Sequence, residues 1–260
     1  MPATVSDPYL ISAAAGLVCS VLLLFFLGTK VPHDRKQMAV CGLFAVFFMF
    51  VGAHLLFFLV NLPEFSAGYG SSIYDIQSFV TAVLNAASGM VFYGGLFGAM
   101  TGICLFCRIL KVPVRPFMNP MTCVFPLMHA FGRIGCTLGG CCYGIEYHGF
   151  CSIHYTSAQI NPGISDHIAD FPRFPVQPME AVLELLLCIF LVLLYLKTQN
   201  RYDLALIYLF AYGIIRFLDE FLRGDLVRGI WGPFSTSQWI ALACVIGTAV
   251  WYLLRRRKQV

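Results

Sequence analysis

The sequence predicts an all-α protein that crosses a membrane about seven times, and three observations lead there. Hydrophobic residues make up 59% of the 260 positions and charged residues 12%, with a mean hydropathy of +0.78, a balance outside the soluble globular range. Apolar stretches recur at 9–28, 38–60, 87–107, 118–140, 179–196, 204–222 and 236–254, each near the ~20 residues that a helix needs to cross a ~30 Å hydrocarbon core. Lys and Arg gather in alternate connections, which is the pattern of short cytoplasmic loops.

The first stretch follows a neutral start, Met1 to Tyr9, without a basic leader or a small-residue cleavage site, so it is expected to stay as a helix. Seven spans put the termini on opposite sides, and charge orients them. Lys30, Arg35 and Lys36, then Arg108, Lys111 and Arg115, then Lys197 and Arg201, and finally Arg255, Arg256, Arg257 and Lys258 fall on one side. They are 12 of the 17 Lys and Arg, against Arg173, Arg223 and Arg228 opposite. The N-terminus is therefore expected outside and the C-terminus in the cytoplasm. Residues 1–260 read as a single transmembrane domain, with polar excursions at 144–178 on the outer face and at 61–77. The net charge of +4 follows from the loop bias and implies no nucleic-acid partner.

Two arginines remain inside the spans, Arg133 and Arg216. Each costs about 2.5–3.5 kcal/mol to insert, so each needs a partner or a task. At 1.5 Å per residue both fall roughly 10 Å below the outer boundary, which suits an anion held between two guanidiniums. Arg216, Glu220 and Arg223 recur at helical spacing, with Asp219 beside them, and are expected on one stripe facing protein or water. The alternative is that these charges pair off as bridges between helices.

Around Arg133 the sequence HAFGRIGCTLGGCCYG, residues 129–144, holds Gly132, Gly135, Gly139, Gly140 and Gly144. Such density predicts an interrupted helix or a close backbone approach, against small-residue helix packing as the simpler account. A second cluster, Gly89, Gly94, Gly95 and Gly98, is expected to line the same cavity. Of the 11 cysteines, Cys136, Cys141, Cys142 and Cys151 gather near the outer face beside His148 and His154. Disulfides, nucleophilic thiols, a metal site and inert packing all stay open for them, and the spacing matches no recognised zinc motif. His54 and His129 lie within spans as packing residues or bases.

These residues carry a resemblance. GAHLLFFLVN at 52–61, GMVFYGGLFGA at 89–99, GRIG with GCCYG at 132–144, FPVQPMEA at 174–181, YGIIRFLDEFLR at 212–223 and STSQW at 235–239 occur in the order of the bacterial prolipoprotein diacylglyceryl transferase family. The chain resembles a divergent, cysteine-rich branch of that family over nearly its whole length. The resemblance implies a multi-pass enzyme of the bacterial cytoplasmic (inner) membrane. It would move a diacylglyceryl group from phosphatidylglycerol to the cysteine thiol of a prolipoprotein on the outer face, with no cofactor.

By the same resemblance Arg133, Arg216 and Glu220 are catalytic, while Gly94, Gly95, Gly132, Gly135, Gly144, Gln177 and Glu180 hold substrate. The family's histidine is Tyr93 here, its asparagine after GRIG is Cys136, and its acid in the following segment is Cys141. A phenol with a pKa near 10 is a weak base at neutral pH, so besides Tyr93 the catalytic candidates are Cys141 and Cys142, carrying the chemistry themselves, with Glu220, His54 and His129 as the alternative bases. No metal ligand is assigned. A transporter of a small anion or sulfur compound, or a lipid-binding relative without turnover, are the alternatives; the first lacks the internal repeat many transporters carry.

The charge bias makes one expectation directly testable. Reporter fusions should place 30–36, 108–115, 197–203 and the C-terminus in the cytoplasm, and a reporter active outside when fused after Arg257 would contradict the seven-span arrangement.

Overall fold

Backbone amides inside hydrocarbon must be satisfied within the protein, so a membrane chain of this composition is confined to helices. A computed structural model describes residues 7–28, 35–69, 89–156, 169–198, 203–225 and 229–257. Their helices are α1 Asp7–Gly28, α2 Arg35–Tyr69, α3 Phe92–Leu110, α4 Arg115–Leu138, α5 Val176–Thr198, α6 Leu204–Asp219 and α7 Thr236–Arg257. The only strands among the described residues are the two-residue β1 Ile230–Trp231 and β2 Phe234–Ser235, an antiparallel hairpin turned at Gly232 with φ +63°. The excursions 61–77 and 144–178 lie partly outside the described residues, as do Lys30, Arg201, Arg228 and Lys258.

Five helices are long and apolar enough to cross a membrane: α1, α2, α3, α5 and α7. The protein is thus an all-α, multi-pass membrane protein. The predicted spans 118–140 and 204–222 correspond to α4 and α6, which fall short for a physical reason. Helix α4 contains Arg115, Asn119, His129 and Arg133 together with Pro120 and Pro126, and α6 is 16 residues long. These are the two helices that carry the intramembrane arginines, and polar groups at that depth are tolerated where they face protein rather than lipid.

The sixth predicted stretch ends early. The α-helix stops at Asp219, Glu220–Leu222 form a 3-10 turn, and Arg223 is extended at φ −83°, ψ 140°. Arg223 therefore leaves the stripe expected for Arg216, Glu220 and Arg223, because the axis that defines the stripe ends before it.

Residues pack as two compact units. One comprises 31–118 and 229–236, the other 1–30, 119–228 and 237–260. In the first, α3 lies along α2 with backbones nearly touching. A Cβ at Gly94 would meet the Gly52 carbonyl oxygen at 2.3 Å, and one at Gly98 the Phe48 carbonyl oxygen at 2.1 Å. Gly94, Gly98 and Gly102, four residues apart, form the seam, as small residues do where no hydrophobic effect drives helices together. Tyr93 is buried at the head of this seam and stacks on Phe97, ring centroids 6.0 Å apart.

In the second unit, contacts between helices use side chains to replace missing backbone partners. Asn119 Oδ1 accepts from the Leu204 amide at 3.1 Å, satisfying a free N–H at the start of α6. Ser12 Oγ donates to the Phe131 carbonyl at 2.7 Å, fixing α1 against α4. Arg255 Nη1 reaches Asp203 Oδ2 at 2.6 Å, tying the end of α7 to the start of α6. Leu, Val and Phe side chains on α1 and α5 point outward, as a lipid-facing surface requires.

Candidate active site

The ionisable residues of α4, α5 and α6 meet in one buried cluster, and helical periodicity puts them there. His129 and Arg133 are one turn apart on α4, Glu180 and Glu184 one turn apart on α5, and Arg216 and Glu220 one turn apart at the end of α6. All six are more than nine-tenths buried. Arg133 grips Glu180 at two points, Nε to Oε2 at 2.7 Å and Nη2 donating to Oε1 at 3.0 Å. His129 bridges the two glutamates, with Nδ1 3.2 Å from Glu184 Oε1 and Nε2 3.5 Å from Glu180 Oε1. Its ring packs edge-on against Tyr212, which stacks on Tyr208.

Arg216 pairs along its own chain, Nη2 to Glu220 Oε2 at 2.6 Å, while its buried Nη1 makes no hydrogen bond among the described residues. The guanidiniums of Arg133, Arg216 and Arg223 all lie close enough to Glu180 to act on it electrostatically. The two intramembrane arginines are thus gathered about one carboxylate, and they are also bridged internally. Both accounts left open by the sequence are present in one arrangement: Arg133–Glu180 joins two helices, and a donor is left over beside it.

A cap of irregular chain covers this end of the helices. Gly144 pairs with Arg223, and Glu146 and Ile153 both pair with Arg173. The crossing is close. A Cβ on Gly144 would lie 2.3 Å from the Phe174 carbonyl oxygen, and one on Gly224 would lie 2.4 Å from the Gly144 oxygen. Gly144 therefore serves the cap's backbone, and Gly135 packs against the Tyr9 ring on α1. Gly132 differs, since a Cβ there would meet nothing within 4 Å. The glycines do not interrupt α4, which runs through Gly132 and Gly135 to Leu138; the break falls at Gly139 and Gly140, where Gly140 has φ +65°. Arg223 is held in the cap by Asp225 through Nε at 2.9 Å and Nη2 at 2.5 Å.

Gln177, at the start of α5, donates through Nε2 to the Cys141 carbonyl at 2.8 Å and to the Tyr155 hydroxyl at 2.9 Å. Burial pushes the Tyr155 phenol up to about 12, so it remains a neutral acceptor. The thiols of Cys136, Cys141 and Cys142 lie within 4.8 Å of one another, all three unbridged, whereas Cys151 is exposed and His148 is engaged with Glu146. Hydrogen bonds from the Cys136 and Cys141 thiols, and then the Arg223 and Arg133 guanidiniums, hold the Cys142 thiol well below its ordinary range against the opposing effect of burial.

Of the residues expected to act, Arg133, Arg216, Glu220, Gln177, Glu180, Gly132, Gly135, Gly144, Cys141 and Cys142 fall in this unit. Tyr93, Gly94 and Gly95 belong to the α2–α3 unit, where the seam accounts for Gly94. Glu184 was not singled out from sequence. The signal was available: a second carboxylate four residues after Glu180 inside an apolar run.

The fold and site define a multi-pass helical membrane protein with a buried arginine–carboxylate centre. Residues 6–254 match the family described as prolipoprotein diacylglyceryl transferase. The chain is 28% identical over 243 residues to phosphatidylglycerol--prolipoprotein diacylglyceryl transferase 2 of Clostridium perfringens, covering 94% of this chain and 88% of the relative. It is 28% identical over 247 residues to the Clostridium tetani transferase of the same kind, covering 95% and 92%. A third relative of that kind, from Paracidovorax citrulli, is 28% identical over 255 residues, covering 90% and 87%. The chain belongs to the prolipoprotein diacylglyceryl transferase family.

The Arg133–Glu180 pair yields a stability prediction. Breaking a buried pair from one side costs about 3–5 kcal/mol, whereas apolar replacement of both partners is often near neutral. Arg133→Met should therefore destabilise the protein by about that amount, and Arg133→Met with Glu180→Met should recover most of it, measured by unfolding in bicelles. Simple additivity of the two losses would contradict the pairing.

Proposed function

We propose that this chain transfers the diacylglyceryl group of phosphatidylglycerol to the cysteine thiol of a prolipoprotein, with Arg133 and Arg216 binding the lipid phosphate. The observation that carries the reading is the buried Arg216 Nη1, which makes no hydrogen bond among the described residues, close to the two-point Arg133–Glu180 pair. Guanidinium donors fixed in a dry site are strong phosphate ligands. The acceptor sulfur attacks the glycerol carbon, the C–O bond to phosphate breaks, and glycerol phosphate leaves carrying the electron pair. Negative charge grows on the departing phosphate, so pre-aligned arginines stabilise the transition state more than the bound lipid.

In this reading Glu180 and Glu220 hold the arginines in position, and Gln177 fixes the cap to α5. His129, between Glu180 and Glu184, helps position the carboxylate that holds Arg133, and Tyr93 stands at the position of the family's histidine. Gly144 keeps the cap's backbones close, and Gly132 and Gly135 lie on the same helix as Arg133. The whole chain, 1–260, acts as one transmembrane domain of seven spans in the bacterial inner membrane, α4 and α6 included, with the N-terminus outside and the C-terminus in the cytoplasm. No nucleic acid takes part.

The test uses liposomes containing phosphatidylglycerol labelled in the acyl chains, the purified protein and a peptide bearing a lipobox cysteine. The expected result is label on the peptide as a thioether with release of glycerol phosphate, lost in Arg133→Ala and not restored in Arg133→Lys, because an ammonium cannot reproduce the guanidinium fork. Lipid binding without product would contradict turnover, and anion flux without product would favour a transporter.

A further inference from the structure

Three thiols that meet beside a site for thiol alkylation call for a role that family membership does not give them. We propose that Cys136, Cys141 and Cys142 bind one Zn2+ ion and leave its fourth position open to an incoming thiolate.

Zinc–sulfur bonds are about 2.3 Å, which sets thiolates around a tetrahedral zinc about 3.8 Å apart. The three Sγ atoms lie within 4.8 Å of one another, so closure on a metal needs only small side-chain rotations. The backbone is shaped to bring them together. Cys136 stands on the last turn of α4, and the Cys141 amide donates to its carbonyl at 3.1 Å. Cys142 adopts φ +55°, a left-handed conformation that turns the chain back beside the end of α4. Gln177 Nε2 donates to the Cys141 carbonyl at 2.8 Å and so fixes the backbone of the loop that carries Cys141 and Cys142.

Charge and space complete the case. Three thiolates on a dication leave one net negative charge, and the guanidiniums of Arg133 and Arg223 both act electrostatically on Cys142. Gly132 sits one turn before Cys136 on the same face of α4, and a Cβ there would meet none of the described residues within 4 Å. Among the described residues no fourth histidine, cysteine or carboxylate joins the group, which is the ligand count of a zinc site that keeps a position for an exogenous ligand.

The chemical consequence rests on the proposed transferase reading. A thiol that coordinates zinc is held as thiolate. The acceptor cysteine loses its proton to solvent on binding, its sulfur attacks the glycerol carbon, and the C–O bond breaks with both electrons going to the phosphate. The thioether product is neutral and a weak ligand, so it leaves. No electron is gained or lost. Activation of the thiol then requires no strong base at Tyr93.

The experiment is metal analysis of the full chain in lipid nanodiscs, loaded anaerobically with Zn2+ and separately with Co2+. The expected result is one zinc per chain and thiolate-to-cobalt charge-transfer absorption. Both should be lost in Cys141→Ser with Cys142→Ser and kept in Cys151→Ser, the exposed cysteine outside the group. Adding a lipobox-cysteine peptide should strengthen the charge-transfer band as a further thiolate binds; an unchanged spectrum would overturn the open position. No stoichiometric metal in a folded, fully reduced protein, or a disulfide joining two of the three cysteines, would overturn the site. Transfer at full rate after metal removal would overturn its catalytic role and leave the transferase reading standing. Metal bound with no transfer from phosphatidylglycerol would sink the transferase reading and leave the site standing.

Discussion

The two-point pair between Arg133 and Glu180 is the contact on which the rest of the arrangement depends. A lone guanidinium or carboxylate at that depth is too costly to keep, so α4 and α5 must present these residues to each other. Once they do, His129 and Glu184, each one turn away, are brought together as well. The pair also explains why the helices bearing the arginines are the least suited to lipid. They gain their place by facing other protein, while α1, α2, α3, α5 and α7 are apolar enough to face the bilayer.

The same constraint organises the cap. Buried charge acts most strongly on a ligand where bulk solvent is excluded, and the irregular segments 143–147, 172–174 and 222–224 are joined to one another by backbone hydrogen bonds beside the charged helix ends. Their closeness is possible only because Gly144 and Gly224 have no side chains. Arg223, which the 3-10 turn removes from the helix, becomes part of this cover and joins the positive surroundings of Glu180 and Cys142. The break in α6 therefore turns a helical residue into a loop residue with a different task.

The helices were legible in the sequence because the bilayer imposes a length and a composition on each. Arg133 and Arg216 stood out for the same reason: charge is conspicuous against an apolar background. Their partners were harder to read. Glu180 sits at the edge of an apolar run and Glu184 inside it, and deciding that α5 faces α4 requires tertiary contact, which spacing along one helix does not encode. The end of α6 at Asp219 was missed because Glu220–Leu222 continue the chain as a 3-10 turn, a tighter winding that the apolar pattern through Phe221 and Leu222 does not mark. The three thiols came together through left-handed residues at Gly140 and Cys142, a fold of the chain that cysteine spacing alone does not reveal. The glycines of 89–98 carried a readable signal of close approach, and which neighbour they approach, α2 through Gly52 and Phe48, was decided by packing.

The central claim is that the buried arginines exist to hold a lipid phosphate, with Glu180 and Glu220 as their positioning partners. Its most direct test is a structure of the protein in nanodiscs rich in phosphatidylglycerol. The account predicts a lipid phosphate within hydrogen-bonding distance of both Arg133 and Arg216, with the Arg216 Nη1 donor engaged. A lipid phosphate bound elsewhere, with both arginines still occupied only by Glu180 and Glu220, would contradict it.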